Sequence, residues 1–193
     1  PPLLAAGVDR TLDPGAVHDH FALEFAPSPR TLLRDVHKVA PGHCLTIDSE
    51  GVTEWQYWDL LGGAFGTRSG SLDQAADRLA TLLERSVERR LMADVPVGAF
   101  LSGGLDSSAV VGLAARQTDD PLRTYSVTFA DDRLDESAEA RLVAEHFGTD
   151  HTEVPVDLSS MDLFGEMVEY LGEPTGHLQM LPLFALSRRA SQD

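Results

Sequence analysis

The stretch VPVGAFLSGGLDSSAVVGLAARQ, from Val95 to Gln117, decides the fold. It opens as a compact apolar run, VPVGAFL, passes through a loop of serine and glycine, and continues as SSAVVGLAARQ, a helix-compatible segment. A glycine-rich turn feeding a helix presents backbone N–H groups that have no partner inside the helix. The helix dipole adds partial positive charge at the same place. Phosphate oxygens suit such a turn. Gly103 and Gly104 permit close approach of the backbone to a ligand, and Ser102, Ser107 and Ser108 offer hydroxyl donors.

Two common phosphate-binding patterns are excluded. The G-x-x-x-x-G-K-[ST] loop needs a lysine for the terminal phosphates, and the chain's one lysine is Lys38; G-x-G-x-x-G is absent from the segment. Asp106 then stands at the centre of an anion-binding turn. Either it caps the following helix, or it holds Mg²⁺, which takes one or two carboxylates together with substrate phosphates. The two roles need different geometries, and the spacing leaves both open.

Working outward, Leu72, Ala76, Leu79, Leu82, Leu83, Val87 and Leu91 recur at helical spacing and predict a long amphipathic helix before the decisive stretch. After it, RTYSVTF (123–129) predicts a second strand and DESAEARLVAEHFG (135–148) a helix with an acidic cap, ending at Gly148. HTEVPV (151–156) predicts a third strand. This alternation predicts an α/β fold with a parallel, doubly wound sheet that takes ligands at the carboxyl ends of its strands. Residues 31–58 alternate apolar and polar positions around the turn signals Pro41-Gly42 and Ser49-Glu50-Gly51, so a short β-rich segment of antiparallel strands is expected to precede that fold. The glycine- and serine-rich run 61–71 reads as a linker, dividing the chain into 1–60 and 72–193.

The chain has 193 residues, 42% of them hydrophobic, enough for one good core in a soluble globular protein. A formal charge of −16 argues against nucleic acid, whose binding by counterion release needs clustered basic residues. No apolar run has the length of a membrane span. A single cysteine, Cys44, excludes an internal disulfide and fits a reducing compartment, with cytoplasm as the default. Cys44 reads as a small buried hydrophobe. His43 reads as packing or surface, and His18 and His20 as a solvated pair rather than a metal site. His151 is expected to pack. The first residue, Pro1, reads as the start of a piece of a longer chain.

LSGGLDSS resembles the pyrophosphate-binding loop S-G-G-x-D-S of ATP pyrophosphatases that activate carboxylates as acyl-adenylates. Its flanks, VPVGAFLSGGLDSSAV, look like those of glutamine-hydrolysing asparagine synthetases in particular. SPRTLLRDVHKVAPGHCLTI is similar to the end of that family's N-terminal-nucleophile glutaminase domain; TYSVTF, LDESAEARLVAEHFGTDHTE and LPLFALSRRA look like successive parts of its synthetase domain. The resemblance implies an adenine nucleotide alpha hydrolase-like fold, incomplete here, over 72–193. It puts ATP pyrophosphate against Ser102, Gly103, Gly104, Asp106, Ser107 and Ser108, with Asp106 as a magnesium ligand and catalytic residue. Leu101 would meet the nucleotide through its backbone and Val127 would flank adenine. It further implies a ligase that converts aspartate to β-aspartyl-AMP and then, with glutamine-derived ammonia, to asparagine. The partners are small molecules, and a homodimer is compatible with the family.

The chain departs from that pattern. It has no cysteine at its first residue to serve as glutaminase nucleophile, and it stops at Asp193, before the segment where the family places a second phosphate and metal loop; by itself it is expected to be inactive. The arginine that some relatives place after Glu173-Pro174 falls on Leu178, leaving room for a β-lactam synthetase or macrolactam cyclase, and for a nucleotide-binding fragment without catalysis. Asp131, Asp132, Asp135 and Glu136 follow the second strand, in the expected ligand-facing loop, and read as a helix-opening cluster. By resemblance alone, Glu173 is expected to face the active-site cleft.

Overall fold

The computed structural model describes residues 2–60, 62, 70–177 and 179–193. Its elements are α1 (Pro2–Ala5), α2 (Pro14–Leu23), β1 (His43–Asp48), β2 (Gly51–Gln56), α3 (Leu72–Leu91), β3 (Gly98–Phe100), α4 (Leu105–Ala115), β4 (Arg123–Thr128), α5 (Ser137–Phe147), β5 (Asp150–Pro155), α6 (Met161–Leu171) and α7 (Met180–Ala190). The chain forms two compact units, Pro1–Arg68 with Phe164–Leu178, and Ser69–Leu163 with Gln179–Asp193. Most of the expected linker, and Leu178, lie outside the described residues.

In the first unit the Pro41-Gly42 turn, with Gly42 at φ 72°, leads into β1, which pairs antiparallel with β2 from His43↔Gln56 to Asp48↔Gly51. Residues 31–40, expected to alternate as strand, make only isolated bridges, Arg30↔His37 and Leu12↔Leu33. Thr31 explains this locally: its Oγ1 accepts the Leu33 N–H at 3.1 Å and lies 2.8 Å from the Val36 carbonyl, so a side chain folds the backbone on itself. The helix α2 is an element the β-rich reading lacks. Its signal is Asp13-Pro14: Asp13 Oδ1 accepts the N–H groups of Gly15 and Ala16 at 2.8 and 3.1 Å, and Pro14 starts the helix where an N–H would be idle. His18 and His20 stand two apart on α2, about 200° around the axis, and so face different ways. Cys44 is half-buried rather than buried, since its hairpin is covered on neither face.

The same unit gathers residues distant in sequence. Lys38 Nζ donates to Glu173 Oε1 at 2.9 Å and to the Ala26 carbonyl at 3.1 Å, while Gly176 N–H reaches the carbonyl of Glu24 at 3.3 Å. Glu173, expected in the active-site cleft, thus has its carboxylate in an ion pair. Both partners are partly exposed, so the pair is worth no more than about 1 kcal/mol.

The second unit is α/β. Three strands run parallel in the order β3-β4-β5. Only Gly98–Phe100 of the apolar run 95–101 forms ladder, because Pro96 has no N–H to give. A capping box opens α3, with Ser71 Oγ accepting Gln74 N–H at 3.2 Å and Gln74 Oε1 accepting Ser71 N–H at 3.1 Å. Gly148, at φ 66°, closes α5 as expected. Alternation along β4 separates two faces. Glu153, paired in register with Ser126, meets Arg141 of α5, whereas Val127, one residue on, shares a cavity with Leu186 of α7. Helices α5 and α7 both pack against β4. The core joins Val87, Leu101, Val111, Ala114, Leu122, Ala140 and Ala144. Among the described residues no helix is long and apolar enough to cross a membrane.

Leu122 is 4% exposed in this core, so Leu122→Ala is expected to cost about 2–5 kcal/mol. Urea unfolding of the two chains measures it; a loss under about 1 kcal/mol would show that this cluster is not the centre of stability.

Candidate functional site

The sheet delivers its strands' carboxyl ends to one edge, and the serine-glycine loop begins there. Leu101, 2% exposed, donates its N–H to the Tyr125 carbonyl of β4 at 2.8 Å, just past the end of β3. The backbone then turns through Gly103 at φ 76°, a conformation most side chains avoid. A Cβ on Gly103 would lie 2.5 Å from Glu139 Cβ and 2.6 Å from Ala140 N. Glycine is thus required twice here, for dihedral and for space, and the loop is seated against the first turn of α5.

The loop ties itself in place with its serines. Ser102 Oγ lies 3.0 Å from Ser107 Oγ and accepts the Gly104 N–H at 3.3 Å; Ser107 Oγ donates to the Gly104 carbonyl at 3.2 Å and accepts the Ser102 N–H at 3.3 Å. Gly104 caps α4 in extended conformation without a side-chain bond, and the Ser108 N–H closes the first turn onto its carbonyl at 3.0 Å. The N–H groups of Leu105, Asp106 and Ser107 precede that first bond and have no carbonyl within the helix.

Asp106 is consequently not the cap. It occupies the second helical position, past the extended residue that a cap must be, and its carboxylate stands exposed in the first turn. Negative charge there complements the helix dipole. Among the described residues Ser108 Oγ is the one buried side-chain polar atom with no hydrogen-bond partner. Leaving such an atom unmet costs about 1–3 kcal/mol. The loop thus holds an unused hydroxyl beside unused N–H groups.

Leu101, Ser102, Ser107 and Val127 come together around one cavity of about 240 Å³. Gly103, Gly104, Asp106 and Ser108 belong to the same turn but do not line it. Its walls include Glu136, which sequence reasoning named only within the helix-opening cluster, and Ser126 and Leu186, which it did not single out. Leu186 had no local signal, since its role depends on α7 returning to the sheet. A wider cavity, about 610 Å³, opens beyond β4 and β5 and shares Phe129 and Leu134 with the first.

The acidic cluster after β4 divides its duties. Asp135 Oδ1 accepts the Ser137 N–H at 3.3 Å and opens α5, as a helix-opening cluster should. Asp131 lines the wider cavity and is gripped by Arg133 at 2.9 and 2.6 Å, which holds its carboxyl below the usual carboxylate range. Among the described residues no group of three or more His, Cys, Asp or Glu is placed to hold a metal.

Residues 78–193 match the family model for asparagine synthase. Asparagine synthetase [glutamine-hydrolyzing] 3 of Bacillus subtilis is 30% identical over 183 residues, covering 87% of this chain and 28% of the relative. Asparagine synthetase [glutamine-hydrolyzing] 1 of the same organism is 28% identical over 192 residues, 98% of this chain and 30% of the relative. The amidase chyE of Penicillium rubens is 33% identical over 144 residues, 66% of this chain and 21% of the relative. The chain spans less than a third of the length of these relatives.

Gly103 and Gly148 both have positive φ, but only Gly103 is crowded. Gly148→Ala is expected to cost about 1 kcal/mol from dihedral strain, and Gly103→Ala about 1–3 kcal/mol more from overlap with α5. Equal losses in urea unfolding would mean that the loop is not seated on α5.

Proposed function

The chain belongs to the asparagine synthase family, and from that premise we propose that it supplies the nucleotide-binding part of an ATP-dependent, amide-forming ligase. In this reading residues 1–60 are the tail of an N-terminal-nucleophile glutaminase domain and 61–71 a linker. Residues 72–193 begin a doubly wound synthetase domain of the adenine nucleotide alpha hydrolase-like fold, working in the cytoplasm.

One observation carries the reading. A turn at the carboxyl end of a strand keeps unspent donors, the first N–H groups of α4, and has no basic side chain from Ser102 to Ser108. Pyrophosphate oxygens would satisfy these donors. The close seating of Gly103 brings backbone to the ligand, and Ser102 and Ser107, already tied to each other, are held ready rather than ordered on binding. Leu101 has spent its N–H on Tyr125, so its carbonyl is the backbone group left for the nucleotide. Val127 would lie along the base in a cavity that suits part of a ligand, being smaller than the ~300–1,000 Å³ of whole-ligand pockets.

The residues present fit a magnesium ion, with Asp106 as its carboxylate and phosphates for the rest. When bound, it would neutralise charge on the departing pyrophosphate. The oriented N–H groups of α4 add to that stabilisation as charge grows on the leaving oxygen. The carboxylate substrate is taken to be aspartate, attacking the α-phosphorus to give β-aspartyl-AMP, which ammonia from glutamine then converts to asparagine and AMP. The likeness to an amidase supports a second reading, in which another carboxylate is activated in the same way.

Calorimetric titration with MgATP is expected to show binding that Asp106→Asn weakens about 10-fold or more. In the protein carrying this chain, aspartate-dependent exchange of labelled pyrophosphate into ATP should be lost with the same substitution. Exchange that ignores aspartate but answers to another carboxylate moves the chain to the second reading. Absence of MgATP binding overturns both.

A further inference from the structure

The sheet carries a polar ladder that the proposed chemistry does not use. In register, Thr124 of β4 lies opposite His151 of β5. His151 Nδ1 is 2.9 Å from Thr124 Oγ1, and its Nε2 is 3.1 Å from Ser126 Oγ. Thr124 Oγ1 also meets Thr149 Oγ1 at 2.8 Å. Thr124 and Ser126 are 0% and 3% exposed, so water cannot readily replace these bonds. Apolar residues would be the ordinary occupants of such strand positions. Ser126 is also a wall of the small cavity, beside Val127.

We propose that His151 is a positioning residue for that cavity: by holding Thr124 and Ser126 at once, it fixes the Ser126–Val127 backbone against which the base of a nucleotide rests. This extends the nucleotide reading above and rests on it.

Neutral imidazole has one donor and one acceptor nitrogen, so the hydroxyls of Ser126, Thr124 and Thr149 form a head-to-tail chain through it in either tautomer. Imidazolium donates at both nitrogens. It leaves the Ser126 hydroxyl hydrogen without the acceptor that one tautomer provides, and it brings charge beneath the cavity. Burial accordingly holds the His151 pKa below its ordinary value. Glu153, on its own strand, pulls upward, and Arg141, from α5, pushes down. The unfolded chain takes up the proton first as pH falls, so the stability of the fold begins to drop below the ordinary histidine pKa, whereas the ladder itself is broken only below the lower pKa that His151 has in the folded chain.

The test uses adenosine, which carries no phosphate to titrate, with the whole chain followed by NMR. Wild type is expected to bind about 3–10-fold more weakly below the His151 pKa, read from its own ring resonances in the same NMR titration, than at pH 7.5. His151→Gln, which keeps one donor and one acceptor, should stay within about twofold of wild type at pH 7.5 and lose the pH dependence; His151→Leu should weaken binding about 10-fold there. A melting curve confirms that each variant is folded. Wild-type binding that stays flat across the observed titration of His151, or His151→Leu binding adenosine as wild type does, overturns the proposal while MgATP binding by the loop stands. If wild type binds neither adenosine nor MgATP, the nucleotide reading falls and takes this inference with it.

Discussion

The loop can exist because Gly103 lies where no other residue fits. A side chain there would overlap the backbone of Glu139 and Ala140, and with it the contact between the end of β3 and the start of α5 would be lost. That contact turns a mobile glycine-rich connection into a seated one. It sets where α4 begins, and hence which N–H groups remain unspent. It also places Ser102 and Ser107 so that they bind each other, leaving Ser108 as the unsatisfied member. The electrostatics of the site follow from one steric fact.

Much of this was legible because the chemistry is local. A strand, a glycine turn and a helix within 23 residues announce a ligand site at a sheet edge. The helix α3 was legible from its period, the end of α5 from Gly148, and the β1–β2 hairpin from its turn residues. What was illegible depends on distance or on competition. Asp106 looked able to cap because Asp often does, yet Gly104 takes that place since the chain must leave the turn in extended conformation two residues earlier. Residues 31–40 alternate like a strand, but Thr31 outcompetes the ladder. The cavity walls at Ser126 and Leu186 lie 60 positions apart in sequence, and no spacing rule joins them.

Periodicity also speaks for a face without saying what covers it. The apolar stripe of α3 was read correctly as helix, but Leu72 and Leu79 are 85% and 57% exposed, with burial arriving only at Val87. A stripe written for burial and left open accords with a chain that spans less than a third of its relatives.

The pairing of Lys38 with Glu173 has a use beyond stability. Fourteen of the fifteen basic residues are arginine, so Lys38 holds the chain's only ε-amine, and it rests 2.9 Å from a carboxylate 135 positions away. Carbodiimide condensation at that pair would produce a single isopeptide staple, and mass spectrometry of its yield would read out directly how often the segment after α6 is seated on the amino-terminal module.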